Sequence, residues 1–290
     1  THVLHLIHGN IHNTAMIGDT YRNDILGSNY TNIYAFWFHK NNFFSKTHME
    51  FNNYEILLKF FQDYYLLSTQ FEILSKRMGE RFDLVQAGGG NTSFKLKDYM
   101  FIKSSGCGLS EISINKNYVG VQYQNIKNSL KHIVSTDKRT RENEAALLTT
   151  KEIHFLTNYK PSIETTMHAL TNKFTVHLHP IQFNLISGKD NCKSIIEELF
   201  PGTCFIEYFT PGIDVALELL KIYNNETTIF LKNHGIVFTS DSVDVLYKLI
   251  EDTMLTLEQY LTVTFTKYKF VNELSNIMQK TSQQSFISYL

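Results

Sequence analysis

Two histidines, His177 and His179, stand two positions apart in "KFTVHLHP", a segment rich in β-branched and aromatic residues. Such a segment reads as a strand, and residues i and i+2 of a strand project from one face, so both imidazoles can reach a common point. Neutral imidazole is a good ligand for zinc and neighbouring divalent metals. A third histidine, His234, follows another strand-like stretch in "FLKNHGIVF". Three histidines and an open fourth position would make a catalytic zinc site. Spacing alone also fits ordinary core or surface histidines, and this chain has twelve histidines in all.

Glu164 precedes the pair in "KPSIETTMHAL". Pro161 and Ser162 are helix-entry residues, which puts Glu164 in the first turn of a helix over 164–171. A carboxylate there can be a cap favoured by the helix dipole, and spacing by itself favours that role. Beside a metal it would instead be a general acid/base, tuned by burial and by the metal's charge. Upstream, "AGGGNTS" (residues 87–93) frees backbone N–H groups to point into one concavity, which suits an anion such as phosphate. A second small-residue turn, "KSSGCG" (103–108), could add the charge of Lys103 and donors from Ser105 and Gly106. Each turn alone is more often a plain tight turn. Neither is a GxxxxGK[ST] nucleotide loop, and no GxGxxG opens a helix.

Elements to carry these groups follow from the patterning. Helical spacing of Ile56, Phe60, Tyr64, Leu67, Phe71 and Leu74 predicts a long helix over 54–78, with Gly79 as its stop. Alternating segments at 92–96 and 99–103 around Lys97-Asp98 predict a hairpin. Helices are expected over 140–152, 192–199, 214–223 and from 242 to about 260. Strands are expected over 204–209 and 228–232, with Pro180 closing the histidine strand. The mixture implies an α/β layered domain.

Composition excludes several classes. Hydrophobic residues are 43% and charged residues 19% of 290, as in an ordinary globular protein. The formal net charge of −1 offers no basic field for nucleic acid. Cys107, Cys192 and Cys204 are odd in number and far apart, so neither a disulfide framework nor a cysteine zinc site is indicated, and a reducing cytoplasm is the expected compartment. No apolar run approaches the roughly 18 residues of a membrane helix.

Read in order, "GGGNTS", "KSSG", "PSIET", "HLHP" and "KNHGIVF" resemble the signature series of the class II aldolase/adducin family, over roughly residues 50 to 265. The first and third phrases are especially similar to a rhamnulose-phosphate aldolase branch. The resemblance implies an α/β/α domain around a largely antiparallel sheet, commonly a homotetramer with active sites near subunit interfaces. It implies that His177, His179 and His234 are zinc ligands and that Glu164 is the catalytic acid/base, which in some members also approaches the metal. Gly90, Asn91, Ser105, Gly106 and Ser162 match phosphate-cradle positions. Ile163 replaces a second serine found in some members. The catalytic tyrosine that a neighbouring subunit donates in the aldolases has no clear counterpart; Tyr208 is the candidate, and packing is its competing role. The implied activity is cleavage of a phosphorylated ketose through a zinc-stabilised enediolate. Epimerisation, dehydration and decarboxylation use related intermediates, and adducin-like members are non-catalytic scaffolds.

The first residues read differently. "MIGDTYRNDILGS" followed by "NIYAFWF" resembles the last motif of haloacid dehalogenase-like hydrolases, with Asp19 and Asp24 matching its acidic pair. The competing reading is an acidic turn at a strand end. A short strand (15–17), a short helix and a strand (33–38) are expected, then a polar stretch. Residues 1–45 are thus expected to be the truncated end of such a domain, in a longer fusion, and residues 46–290 the aldolase-like domain.

Overall fold

The computed structural model describes residues 14–31, 33–38, 48–51, 53–114, 116–154 and 159–265. Most of the polar stretch after the second strand lies outside them. Strands β1 (Ala15–Gly18), β2 (Tyr34–Phe38) and β3 (His48–Phe51) form a small parallel sheet in that order. A turn of π-helix (Tyr21–Ile25) running into α1 (Leu26–Tyr30) connects the first two. This sheet continues past residue 45, because β3 completes it. It docks on the main domain through Phe36 and Phe51 packed with Leu57, and through a 2.7 Å hydrogen bond between Tyr34 and His154.

The main domain begins with α2 (Tyr54–Gly79), whose Asn53 side chain accepts from the Glu55 N–H as an N-cap. The hairpin of β4 (Asn91–Leu96) and β5 (Tyr99–Lys103) forms as the alternation predicts, with Lys97 at φ 52° in the turn. Then follow β6 (Tyr118–Gln122), α3 (Tyr123–Leu130), α4 (Lys138–Lys151), α5 (Thr165–His168) and β7 (Phe174–Leu178). The chain continues through α6 (Ile181–Ser187), α7 (Cys192–Leu199), β8 (Cys204–Ile206) and α8 (Ile213–Ile222). It closes with β9 (Thr228–Leu231), β10 (Gly235–Ser240) and α9 (Val243–Leu261).

The seven strands of the main sheet lie in the order β6-β5-β4-β7-β10-β9-β8, antiparallel except for the β8–β9 pair. Alternate residues feed two cores, as a sheet covered on both faces requires. Phe230, Ile236 and Phe238 face α2, α6, α7 and α9, whereas Ile229, Leu231 and Val237 face α5 and α8. The result is the expected α/β/α sandwich with a largely antiparallel centre.

Several local expectations change. The strand after Gly202 stops at Ile206 rather than 209, and the helix at 164–171 shrinks to the single turn of α5. Strand β6 and helices α3 and α6 were not legible. β6 is short and carries Gly120 at its centre, which weakens any strand signal. α3 is polar except for Ile126 and Leu130, and burial of those two side chains supplies what propensity does not.

Candidate metal and acid/base site

Because β7 is antiparallel to both neighbours, its C-terminal end meets the starts of β4 and β10 at one edge of the sheet. Asn91 is the register partner of His177 across β4–β7, and Ile236 is that of Leu178 across β10–β7. His177 is completely buried and projects to the α5 face, opposite Val176 and Leu178. His179 lies just past the strand end, where its N–H donates to the Leu84 carbonyl (2.9 Å). His234 sits in the β9–β10 turn, which Asn233 makes by adopting φ 54°.

These three rings converge. Their centroids are 4.8 Å (His177–His179), 4.6 Å (His177–His234) and 5.3 Å (His179–His234) apart. One ligating nitrogen from each lies within 4.8 Å of the others, the one such group of possible metal ligands among the described residues. Nε2 of His177, Nε2 of His179 and Nδ1 of His234 are buried without a hydrogen-bond partner. Each unpaired polar group of that kind costs about 1–3 kcal/mol. A cation that accepted those lone pairs would remove the cost, so the donor set fits a divalent metal.

Close backbone approach makes the convergence possible. A Cβ on Gly235 would lie 2.2 Å from the Leu178 carbonyl and 3.0 Å from Nε2 of His177. One on Gly89 would lie 2.8 Å from Nδ1 of His179. Two of the glycines thus make room for imidazoles.

Glu164 occupies the residue before α5, but its side chain makes no capping bond. The cap favoured by spacing is therefore replaced by a tertiary role. Its Oε1 lies 2.8 Å from Nδ1 of His177, as a close contact rather than an aligned hydrogen bond, and 3.6 Å from Nε2 of His234. Asn91 Nδ2 donates to the other oxygen, Oε2, at 3.1 Å and to the Ser162 hydroxyl at 2.7 Å. Burial opposes ionisation of Glu164. Interaction with His177 first, then with His168 and His234 as acid protonates them, outweighs it and holds the carboxyl below the usual range.

The phrases assigned to a phosphate cradle do meet. Ser104 pairs with Pro161 in an isolated bridge, and the Ser105 N–H donates to the Lys160 carbonyl at 2.9 Å. Gly90 (φ 75°) and Gly106 (φ 84°) take backbone conformations that suit glycine. Asn91 and Ser162 already bond each other and Glu164, so their visible work is to fix the carboxylate. Ser105 is exposed. Tyr208 is 58% exposed in the loop after β8, outside the buried core.

His168 was not singled out, although its place four residues after Glu164 puts it one turn along. It is fully buried and Nδ1 bonds the Ser93 hydroxyl at 2.8 Å. Asn91, Ser93 and Lys95 alternate along β4 and meet Glu164, His168 and the Thr171 carbonyl in turn. This polar ladder seats the α5 turn on the sheet.

Burial lowers the pKa of His168 and of His234 to about 3 and that of His179 to about 4, from 6.5 in water. The unfolded chain therefore binds protons at these positions that the folded chain refuses. Their contribution to stability is complete above pH 6.5 and is lost as pH falls towards the folded values. Each proton difference is worth about 1.4 kcal/mol per pH unit. Chelator-treated protein should accordingly lose stability steadily in urea melts between pH 7 and 5. A flat profile over that range would contradict the buried, neutral histidines.

A family model described as Class II Aldolase and Adducin N-terminal domain matches residues 73–261. Among solved structures, the N-terminal class II aldolase domain of a conserved Thermoplasma acidophilum protein is similar at TM-score 0.60 and 23% identity, covering 67% of this chain and 93% of that one. The sugar-phosphate aldolase of Thermotoga maritima aligns at TM-score 0.50 and 16% identity, over 68% and 95% of the two chains. YgbL of Klebsiella pneumoniae, a candidate aldolase, epimerase or decarboxylase, aligns at TM-score 0.50 and 20% identity, over 68% and 89%. No curated protein sequence matches. At these identities the structural likenesses bear on fold.

Proposed function

The chain belongs to the class II aldolase and adducin family, and from that premise we propose that it is a zinc-dependent lyase that cleaves a phosphorylated ketose. The observation that carries this reading is the carboxylate of Glu164, only 12% exposed, within 2.8 Å of His177 and 3.6 Å of His234, inside a cluster of histidines with unpaired ring nitrogens. His177, His179 and His234 would hold the metal. When bound, such an ion supplies Lewis acidity at a carbonyl oxygen and stabilises the negative charge that cleavage develops there.

The chain's own residues supply the rest. Glu164 rests as a carboxylate, so in cleavage it takes the proton of the substrate hydroxyl as the carbon–carbon bond breaks and delivers it to the carbon beside the carbonyl; in condensation the proton runs the other way. Asn91 fixes one carboxylate oxygen and leaves the other facing the histidines. The wall built from residues 88–91, 104–106 and 162 holds the substrate phosphate and so orients the reacting carbons. Tyr208, exposed in this chain, serves a neighbouring subunit's site in a homotetramer.

A screen of phosphorylated ketoses, coupled to detection of dihydroxyacetone phosphate, tests the reaction. Products that keep all carbons would turn the reading to an epimerase or dehydratase, and released carbon dioxide would turn it to a decarboxylase. Metal analysis tests the class: less than about half an equivalent per chain would favour a scaffold. His179→Ala is expected to abolish metal binding, because two imidazoles without the third leave an incomplete donor set. Among the described residues no helix is long and apolar enough to cross a membrane.

We further propose that the N-terminal sheet belongs to a haloacid dehalogenase-like segment, a reading supported by its strand–helix–strand order and by Asp19 and Asp24. A nucleophilic DxDx[TV] motif in the reading frame upstream of Thr1 checks this.

A further inference from the structure

After β7 ends, the chain carrying His179 is held on both sides by one short strap, residues 81–84. The His179 N–H donates to the Leu84 carbonyl and the Ile181 N–H to the Asp83 carbonyl, each at 2.9 Å. The strap is itself pinned through the Asp83 side chain, which has no solvent exposure. Arg81 clasps that carboxylate with Nε at 3.1 Å and Nη2 at 2.7 Å. Gln182, on α6 just beyond the histidine, donates Nε2 to Asp83 Oδ2 at 3.2 Å and to Glu258 Oε1 on α9 at 3.0 Å. Arg81 also pairs with Glu251 of α9.

A carboxylate taken wholly out of water is tolerated only when its partners satisfy it in fixed directions. Here the same side chain ties two helices to the backbone that carries a ligand. The side-chain hydrogen bonds of Arg81, Asp83 and Gln182 given above run to one another and to α9 rather than to Glu164 or the three histidines. From this arrangement we infer that Asp83, clasped by Arg81 and Gln182, is a positioning residue that sets the direction of the His179 imidazole towards His177 and His234. The inference rests on the metal-site reading for its consequence, but not for its geometry. Groups that orient a ligand from behind are typically worth about 10–100-fold in metal affinity.

Two variants and one control test it. Asp83→Asn removes the charge that Arg81 clasps, and Gln182→Leu cuts the tie to Glu258 while keeping the Arg81–Asp83 pair. The first readout is backbone amide exchange of His179 and Ile181 in chelator-treated protein. The second is zinc affinity by chelator competition. The control, Ile126→Ala, empties a fully buried position of α3 in a core cluster that holds no residue of the strap, and so lowers stability alone. The expected result is faster exchange at both amides and a roughly 10–100-fold weaker zinc affinity in the strap variants, with neither change in the control.

Protected amides and unchanged affinity in folded Gln182→Leu would overturn the inference, and that variant decides the matter if Asp83→Asn does not fold. Equal loosening in Ile126→Ala would also overturn it, because the effect would then be general destabilisation. If wild-type protein binds no zinc, the metal reading fails and the amide exchange of the variants still judges the strap.

Discussion

Glu164→Gln is expected to keep its metal and lose about 10²–10⁴-fold in turnover, the range that a positioned general acid/base contributes. The amide has the shape of the carboxylate, so the packing around α5 survives. Its chemistry differs at both ends. Asn91 Nδ2 now meets either the amide oxygen or the amide nitrogen where it met Oε2. If it meets the oxygen, an N–H group faces His177 in place of Oε1, where the distance is 2.8 Å. In neither orientation can the side chain accept and return a proton. Metal content and steady-state rates measured on the same preparation separate the outcomes. Full turnover would remove Glu164 from the acid/base role, and loss of the metal would make it a ligand.

Gly235→Ala should damage the site through the backbone. The added methyl carbon would sit 2.2 Å from the Leu178 carbonyl, 2.9 Å from Cδ2 of His179 and 3.0 Å from Nε2 of His177. The first of these atoms belongs to the neighbouring strand and cannot rotate away, so β10 must part from β7 where both carry ligands. Overpacking of this kind typically costs about 1–3 kcal/mol. A further loss of about 10–100-fold in zinc affinity is expected, since the turn carrying His234 leads into the displaced strand, while His177 and His179 stand on and just past the other. Thermal melts with and without zinc measure both effects. A variant that melts and binds as the wild type does would show that the strands have slack there.

The histidine pair and the glycine turn were legible for a reason of period. Residues two apart on a strand share a face whatever the fold, so "HLH" in a β-branched segment already aims two imidazoles one way. The hairpin at Lys97 and the long helix from Tyr54 were equally local, and both form within a residue of expectation. Helix α6 was not local in this sense: "IQFNLIS" alternates like a strand, and it turns helical because Phe183 and Ile186 reach the core beside α9.

What the sequence determined by itself, then, was the set of groups: three imidazoles, one carboxylate at a helix entry, and glycines where backbone must come close. Its local pattern assigned Glu164 a cap. Tertiary structure decided otherwise, because Asn91 and His177 are register partners across β4 and β7, and that pairing puts an amide donor and a ring nitrogen where the carboxylate can reach both. Strand register is a long-range property, fixed by which faces are buried, and it is not written in the spacing of residues within either strand. The same holds for Asp83. Arg81 is two residues away, but Gln182 on α6 is close in space and remote in sequence, so only the folded chain reveals a carboxylate behind a ligand.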